Sequence, residues 1–289
     1  MIEMKQFLSQ IENNYQRAQF LSSDPIEFVH HYQDPWDQEA IALLASLLAY
    51  GNVRQIRKSI QEAITRISEL AESPRDFVSQ LQDPAFLKKS LQHFEDYVHR
   101  FNTGRDIIRL FELLNQSWRT HGSLGGHFLS YLCPEDETIE SALNQLITNW
   151  KEAKSSFTFP KSFYYLLTAP QDGSCCKRWC MLLRWMGRKD EVDLGLWMQA
   201  SPLCSTFPAG RTLESHQLVM PLDTHTGRLS QSLGLTQRKS LNWKAAIEVT
   251  KSFKALDPLD PVRYDFALSR LGMLEGSKLP IHHKWGTIV

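Results

Sequence analysis

The chain has 289 residues, 42% hydrophobic and 22% charged, with a formal net charge of zero. That make-up fits a globular protein of one large or two modest domains, and neutrality gives the whole molecule no general pull toward a polyanion. The longest apolar run, Ala40–Tyr50, has 11 residues where a membrane span needs about 20, so a membrane protein is not expected.

The opening stretch MIEMKQFLSQIENNY is too polar for a signal peptide, so a cytoplasmic protein is expected. A polar helix is predicted over Ile2–Phe20. Pro35 and Asp37 then introduce a strongly apolar helix, Trp36–Tyr50, stopped at Gly51. Val53, Ile56, Ile60, Ile64 and Ile67 fall at helical spacing and predict an amphipathic helix over Val53–Leu70. Pro74 and Pro84 punctuate shorter helices. Leu87–Arg100, Arg105–Ser117, Leu124–Leu132, Glu137–Trp150 and Phe157–Thr168 follow as further helical segments. Residues 71–132 carry no readable motif and read as a helical insert.

After a helix over Cys175–Met186, residues 193–222 hold Pro202, Pro208, Gly210 and Pro221 and lack periodicity, which marks a long loop insert. Asp223–Leu233, Trp243–Phe253 and Pro261–Leu271 are the last predicted helices, with Asp260 as the cap before Pro261. No repeat and no sustained alternating strand pattern occurs. The expected class is all-α, a single unit of two helical subdomains with a cleft between them.

Charge is uneven along the chain. Residues 1–150 hold 13 Lys+Arg against 20 Asp+Glu, and residues 151–289 hold 19 against 12. Within the basic half, Lys151, Lys154, Lys161, Lys177, Arg178, Arg184, Arg188 and Lys189 face only Glu152 and Asp172, which reads either as a phosphate-binding patch or as a solvated helix face. The five cysteines lack paired metal-site spacing, so packed thiols are expected and no metal.

Two positions carry the candidate chemistry. In QDGSCCKRWCMLLRWM, Ser174 is a natural N-cap and Lys177 would be the third residue of the helix. The macrodipole disfavours an ammonium at that end, and Arg178 adds repulsion. Both favour the neutral amine that a Schiff-base nucleophile requires. In PLDTHTGRLSQSLGL, Asp223 occupies an N-cap position, where backbone N–H groups keep a carboxylate ionised. The bland alternatives are a lysine turned to solvent and a plain capping aspartate.

Gly173-Ser-Cys-Cys-Lys177 and Leu222-Asp-Thr-His-Thr-Gly-Arg228 together resemble the signature of the helix-hairpin-helix DNA glycosylase superfamily, the endonuclease III-like base-excision enzymes. Glu39–Lys58 resembles the early core helix of that superfamily and Phe266–Gly272 its closing helix. The full-length pattern, including LLRWMGRKDEVDLGLW and DPLDPVRYDFAL, is similar to an uncharacterised bacterial family known only as a domain of unknown function. Cys175 at the second glycine position and 46 residues between lysine and aspartate bring the pattern nearest to archaeal 8-oxoguanine glycosylase.

The resemblance implies a base-excision enzyme acting on double-stranded DNA with a damaged base, an oxidised purine of the 8-oxoguanine type, with an accompanying AP lyase step. Lys177 would be the nucleophile and Asp223 the essential carboxylate. Tyr50, Asn52, Gly173, Ser174, Arg178, His225 and Arg228 would contact DNA, and Trp185 and Trp197 would be candidates to stack on an extruded base. No cysteine follows Cys204, so no iron–sulfur cluster and no other cofactor is implied, and a monomer is expected. Two other functions compete. One is a non-catalytic nucleic-acid-binding module on the same fold. The other is a metal-dependent phosphodiesterase drawing ligands from Arg188–Asp193 and from Asp223 and His225, although the acidic run reads more simply as pairing with Arg184, Arg188 and Lys189 on an exposed helix end. Ser174-x-x-Lys177 also matches the nucleophile motif of penicillin-binding enzymes, but their partner motifs S-D-N and K-T-G are missing.

Overall fold

Prolines and capping side chains start several helices where the sequence places them. In the computed structural model, which describes residues 2–15, 18–153 and 160–274, α1 (Ile2–Tyr15) and the short α2 (Glu27–His30) precede α3 (Pro35–Leu47). Asp34 caps α3 by accepting from the N–H groups of Trp36 and Asp37, with Pro35 at the first helical position. Asn52 caps α4 (Val53–Ser68), Ser73 caps α5 (Pro74–Gln80) and Asp83 caps α6 (Pro84–His93). A hairpin of β1 (Val98–His99) and β2 (Asn102–Thr103) leads into α7 (Gly104–His121) and α8 (Leu124–Tyr131). Then come α9 (Glu140–Glu152), α10 (Lys161–Leu166), α11 (Lys177–Gly187), α12 (Thr224–Ser232), α13 (Trp243–Leu256) and α14 (Asp265–Leu274). The class is all-α, as expected. Among the described residues no helix is long and apolar enough to cross a membrane.

The centre of the molecule is α3. Ile41, Leu43, Leu44 and Leu47 are all fully buried, as a helix that is apolar on every face must be. It packs against α2, α5, α7 and α11. The segment 71–132, predicted as an insert, therefore shares its core with α3 through α5 and α7. Glu39, on the same helix, is fully buried and takes four donors. Its Oε1 accepts from Gly125 N (3.0 Å) and Trp197 Nε1 (2.9 Å), and its Oε2 from Leu124 N (2.9 Å) and Trp118 Nε1 (2.6 Å). This carboxylate satisfies the first amides of α8 and fastens the 193–222 excursion to the core through Trp197. A Cβ on Gly125 would sit 2.6 Å from the Trp197 ring, so glycine is required for that approach.

Two predicted helices are corrected. Leu87–Arg100 stops at His93, because the chain turns back as the hairpin; its turn, Arg100–Phe101, has no Asn-Gly or Asp-Gly to announce it. Pro261–Leu271 begins only at Asp265, because Asp260 does not cap a helix and instead pairs with Arg188 (2.7 Å). The predicted helix Phe157–Thr168 starts outside the described residues, and its described part is α10. Lys154 also lies outside them.

Candidate functional site

Two helix starts meet across a cleft. The start of α11 is shifted from its predicted place. Cys176 has φ +50°, a left-handed conformation that breaks the helix, while the Ser174 hydroxyl accepts from Cys176 N (3.1 Å) in a turn ahead of it. Ser174 is thus not the cap, and Lys177 is the first residue of α11 rather than the third. Asp223 is the cap of α12, as expected, and its two oxygens divide the work. Oδ1 accepts from His225 N (2.8 Å) and Thr226 N (2.9 Å), and Oδ2 faces Lys177 Nζ at 3.2 Å. Burial alone would raise the Asp223 pKa. The Lys177 ammonium and the two N–H groups outweigh it and hold the carboxyl below the usual range.

The pair lies in a cavity of about 530 Å³, within the range of small-ligand sites. Its walls come from the α3–α4 turn (Tyr50, Gly51), from α10 (Tyr165), from the starts of α11 and α12, and from α14 with Asp24. Tyr50, Ser174, Arg178 and His225 line it with the pair, whereas Asn52, Gly173, Arg228, Trp185 and Trp197 do not. Asn52 is engaged as the α4 cap, and Gly173 takes φ +75° beyond the cleft. Cys175, at the position where the hairpin pattern favours glycine, turns its thiol to Leu222 O (3.3 Å), and burial raises its pKa.

Several predicted roles change with burial. Trp185 and Trp197 are fully buried, so neither offers a face to an extruded base. Arg178 is also buried, and its guanidinium donates to Leu47 O (2.9 Å) and Tyr165 O while stacking on Tyr165 at 4.2 Å and Tyr50 at 5.2 Å. It pins the cleft wall from behind instead of reaching outward. Much of the basic segment is likewise drawn into ion pairs, while Lys161 and Lys189 stay exposed. Lys151 pairs with Asp172, and Arg184 and Arg188 are buried in an ion-pair network. Arg184 meets Asp193 (3.2 Å) and Asp265, and Arg188 meets Asp193 (2.7 Å), Asp190 (2.6 Å) and Asp260 (2.7 Å). Asp190 and Asp193, offered as metal ligands, are thus occupied by guanidinium groups. No group of three metal-ligating side chains occurs among the described residues.

Asp265 was not singled out in the sequence, yet it lines the cavity beside the pair. Two arginines serve four carboxylates in this network. Burial, reinforced by the nearby Asp223 charge, pushes the Asp265 carboxyl up to about 6 against the pull of Arg184 and Lys177. Its cue is a lone aspartate amid the apolar residues of YDFAL.

Fold and site together define an all-helical protein with a lysine–aspartate pair set between helix starts in a closed-backed cleft. The chain belongs to the family described as protein of unknown function (DUF2400), whose model matches residues 24–274. No curated protein and no solved structure matches it.

Proposed function

We propose that the protein is a DNA glycosylase with an associated lyase step, of the helix-hairpin-helix kind, acting on an oxidised purine. The observation that carries this reading is the 3.2 Å contact of Lys177 Nζ with Asp223 Oδ2 at the wall of a cavity large enough for an extruded nucleotide. An amine needs a base at hand to become nucleophilic, and Asp223 is fixed by its own capping bonds to serve as one. In this reading the loop from α10 to α11, with its left-handed Gly173, takes the part of the hairpin of that fold.

In this reading Asp223 takes a proton from Nζ as the amine attacks C1′ of the sugar. The N-glycosidic bond breaks, its electron pair leaves with the base, and water supplies the proton the base gains. Nζ, now a secondary ammonium, gives a second proton to water, and its freed lone pair expels O4′, which takes up a proton, so that an iminium joins Nζ to C1′. β-Elimination of the 3′ phosphate can follow. Borohydride reduction traps that iminium. Duplex DNA carrying 8-oxoguanine or an abasic site should give a covalent adduct with the wild type and none with Lys177→Gln. DNA binding with neither adduct nor base release would sink the enzyme and leave a binding module. No DNA binding at low salt would sink both.

A further inference from the structure

The hairpin beside the cleft presents an aromatic ring that the core does not absorb. Its turn is Arg100–Phe101, and Arg100 holds a left-handed φ of +56°, a conformation that side chains other than glycine adopt under strain. Phe101 is 47% exposed. The turn is nonetheless fixed from beneath. Tyr50 OH shares its one proton between His99 O (3.2 Å) and Asn102 Oδ1, and Asn102 Nδ2 donates to Asp106 Oδ2 (3.1 Å) and Ser162 O (2.8 Å).

The Phe101 ring meets the edges and faces of two others, Tyr165 at 4.7 Å and Tyr50 at 5.4 Å. Both tyrosines line the cavity that holds Lys177. The aromatic surface therefore runs without a break from the cavity wall to the hairpin tip. An immobilised ring with its outer side in water is a platform for another flat ring. The rim segments around it carry exposed positive charge. The rim segments 50–55, 98–105 and 161–165 carry Arg54, Arg100, Arg105 and Lys161 and no carboxylate. All four are exposed and none has an ion-pair partner among the described residues.

We infer that the Arg100–Phe101 turn is a nucleic-acid-binding element, in which Phe101 stacks on an unpaired base of the strand entering the cleft and Arg100, Arg54 and Lys161 take its phosphates. This rests on the DNA reading above and adds a contact that the lysine–aspartate pair does not require. Exposed cations without ion-pair partners among the described residues favour a polyanion over an apolar peptide, and rings continuous with the cavity favour a strand that also reaches Lys177.

The test uses the full chain and a labelled duplex with a central tetrahydrofuran abasic analogue and, next to it in the same strand, 2-aminopurine set opposite a mismatched base. Binding is followed by anisotropy and unstacking by 2-aminopurine fluorescence. Wild type should bind and change the fluorescence. Phe101→Ser should bind roughly 5- to 150-fold more weakly, the range that one lost base–aromatic stack gives, and leave the fluorescence unchanged. Phe101→Leu keeps the apolar bulk of the hairpin and should weaken binding too, while Phe101→Trp should retain it. Wild-type affinity and fluorescence in both Phe101→Ser and Phe101→Leu would overturn the inference alone, with borohydride trapping by the wild type left standing. Absence of any wild-type binding at low salt would overturn it together with the glycosylase reading.

Discussion

Asp223 is both a helix cap and a proposed proton acceptor, and two substitutions separate those roles. Asn caps as well as Asp, so Asp223→Asn keeps the acceptor for His225 N and Thr226 N at 2.8 and 2.9 Å and removes the charge facing Lys177. The lost ion pair is partly solvated, with the Lys177 side chain 31% and that of Asp223 22% exposed, so its share of stability is about 1 kcal/mol or less. For a chain of this size that lowers the melting temperature by roughly 2–4 °C at most. Asp223→Ala loses the cap as well, a further cost of about 1 kcal/mol. The chemistry should divide differently. A lost proton acceptor costs about 10²–10⁴ in rate, and Asn cannot take a proton, so borohydride trapping should collapse in both variants. Melting followed by circular dichroism, beside trapping on abasic DNA, reads the two effects. An Asn variant that traps like wild type would refute the assigned chemistry. One that melts as low as Ala would refute the division of labour between the two oxygens.

Glu39→Gln tests the core hub. Either orientation of the amide turns an NH₂ toward two of the four donors, stranding two buried N–H groups at about 1–3 kcal/mol each, so thermal melting should fall by several degrees; a melting temperature within about 2 °C of wild type would contradict it. Asp265→Asn tests the buried acidic surplus. With its carboxyl at about 6 in the fold against an ordinary 3.8, the native state holds a proton there that the unfolded chain releases. That stabilisation is complete below the ordinary value and is lost as pH rises through about 6. The stability of Asp265→Asn relative to wild type should therefore improve across that window, measured by urea unfolding at several pH values, and a flat difference would count against the shift.

Much of the architecture was legible from local chemistry. Proline after a capping aspartate marks α3, and the isoleucine spacing marks α4, because both signals act within one or two turns. The hairpin was missed because Arg-Phe at its turn carries no turn preference and the apolar spacing of Leu87, Leu91 and Phe94 runs straight into it. Counting charge along the chain misjudged the basic segment for a different reason. The carboxylates that take Arg184 and Arg188 include Asp260 and Asp265, more than 70 residues away, and a one-dimensional count cannot see them. Trp197 failed likewise as a stacking candidate, since it is buried by contact with Glu39 and Phe128, neither of them near in sequence. The start of α12 could be read on its own, and that of α11 only to within two residues. Their apposition across 46 residues was reachable only through resemblance, and Asp265, which has no motif, was not reachable at all.

The cleft is closed on one side by residues far apart in the chain. Asp24 and Arg270 pair across a sequence separation of 246, and α1 packs along α14. Lys177 and Asp223 can meet once residues up to α12 have emerged from the ribosome, but the wall that encloses them needs the last described helix to dock against residues near the beginning. The order of synthesis thus makes the enclosed site a late event in folding. Contacts of such long sequence separation also slow that final step. A chain interrupted before α14 would carry the lysine–aspartate pair in a more open trough, without the wall that Asp265, Phe266 and Ser269 supply.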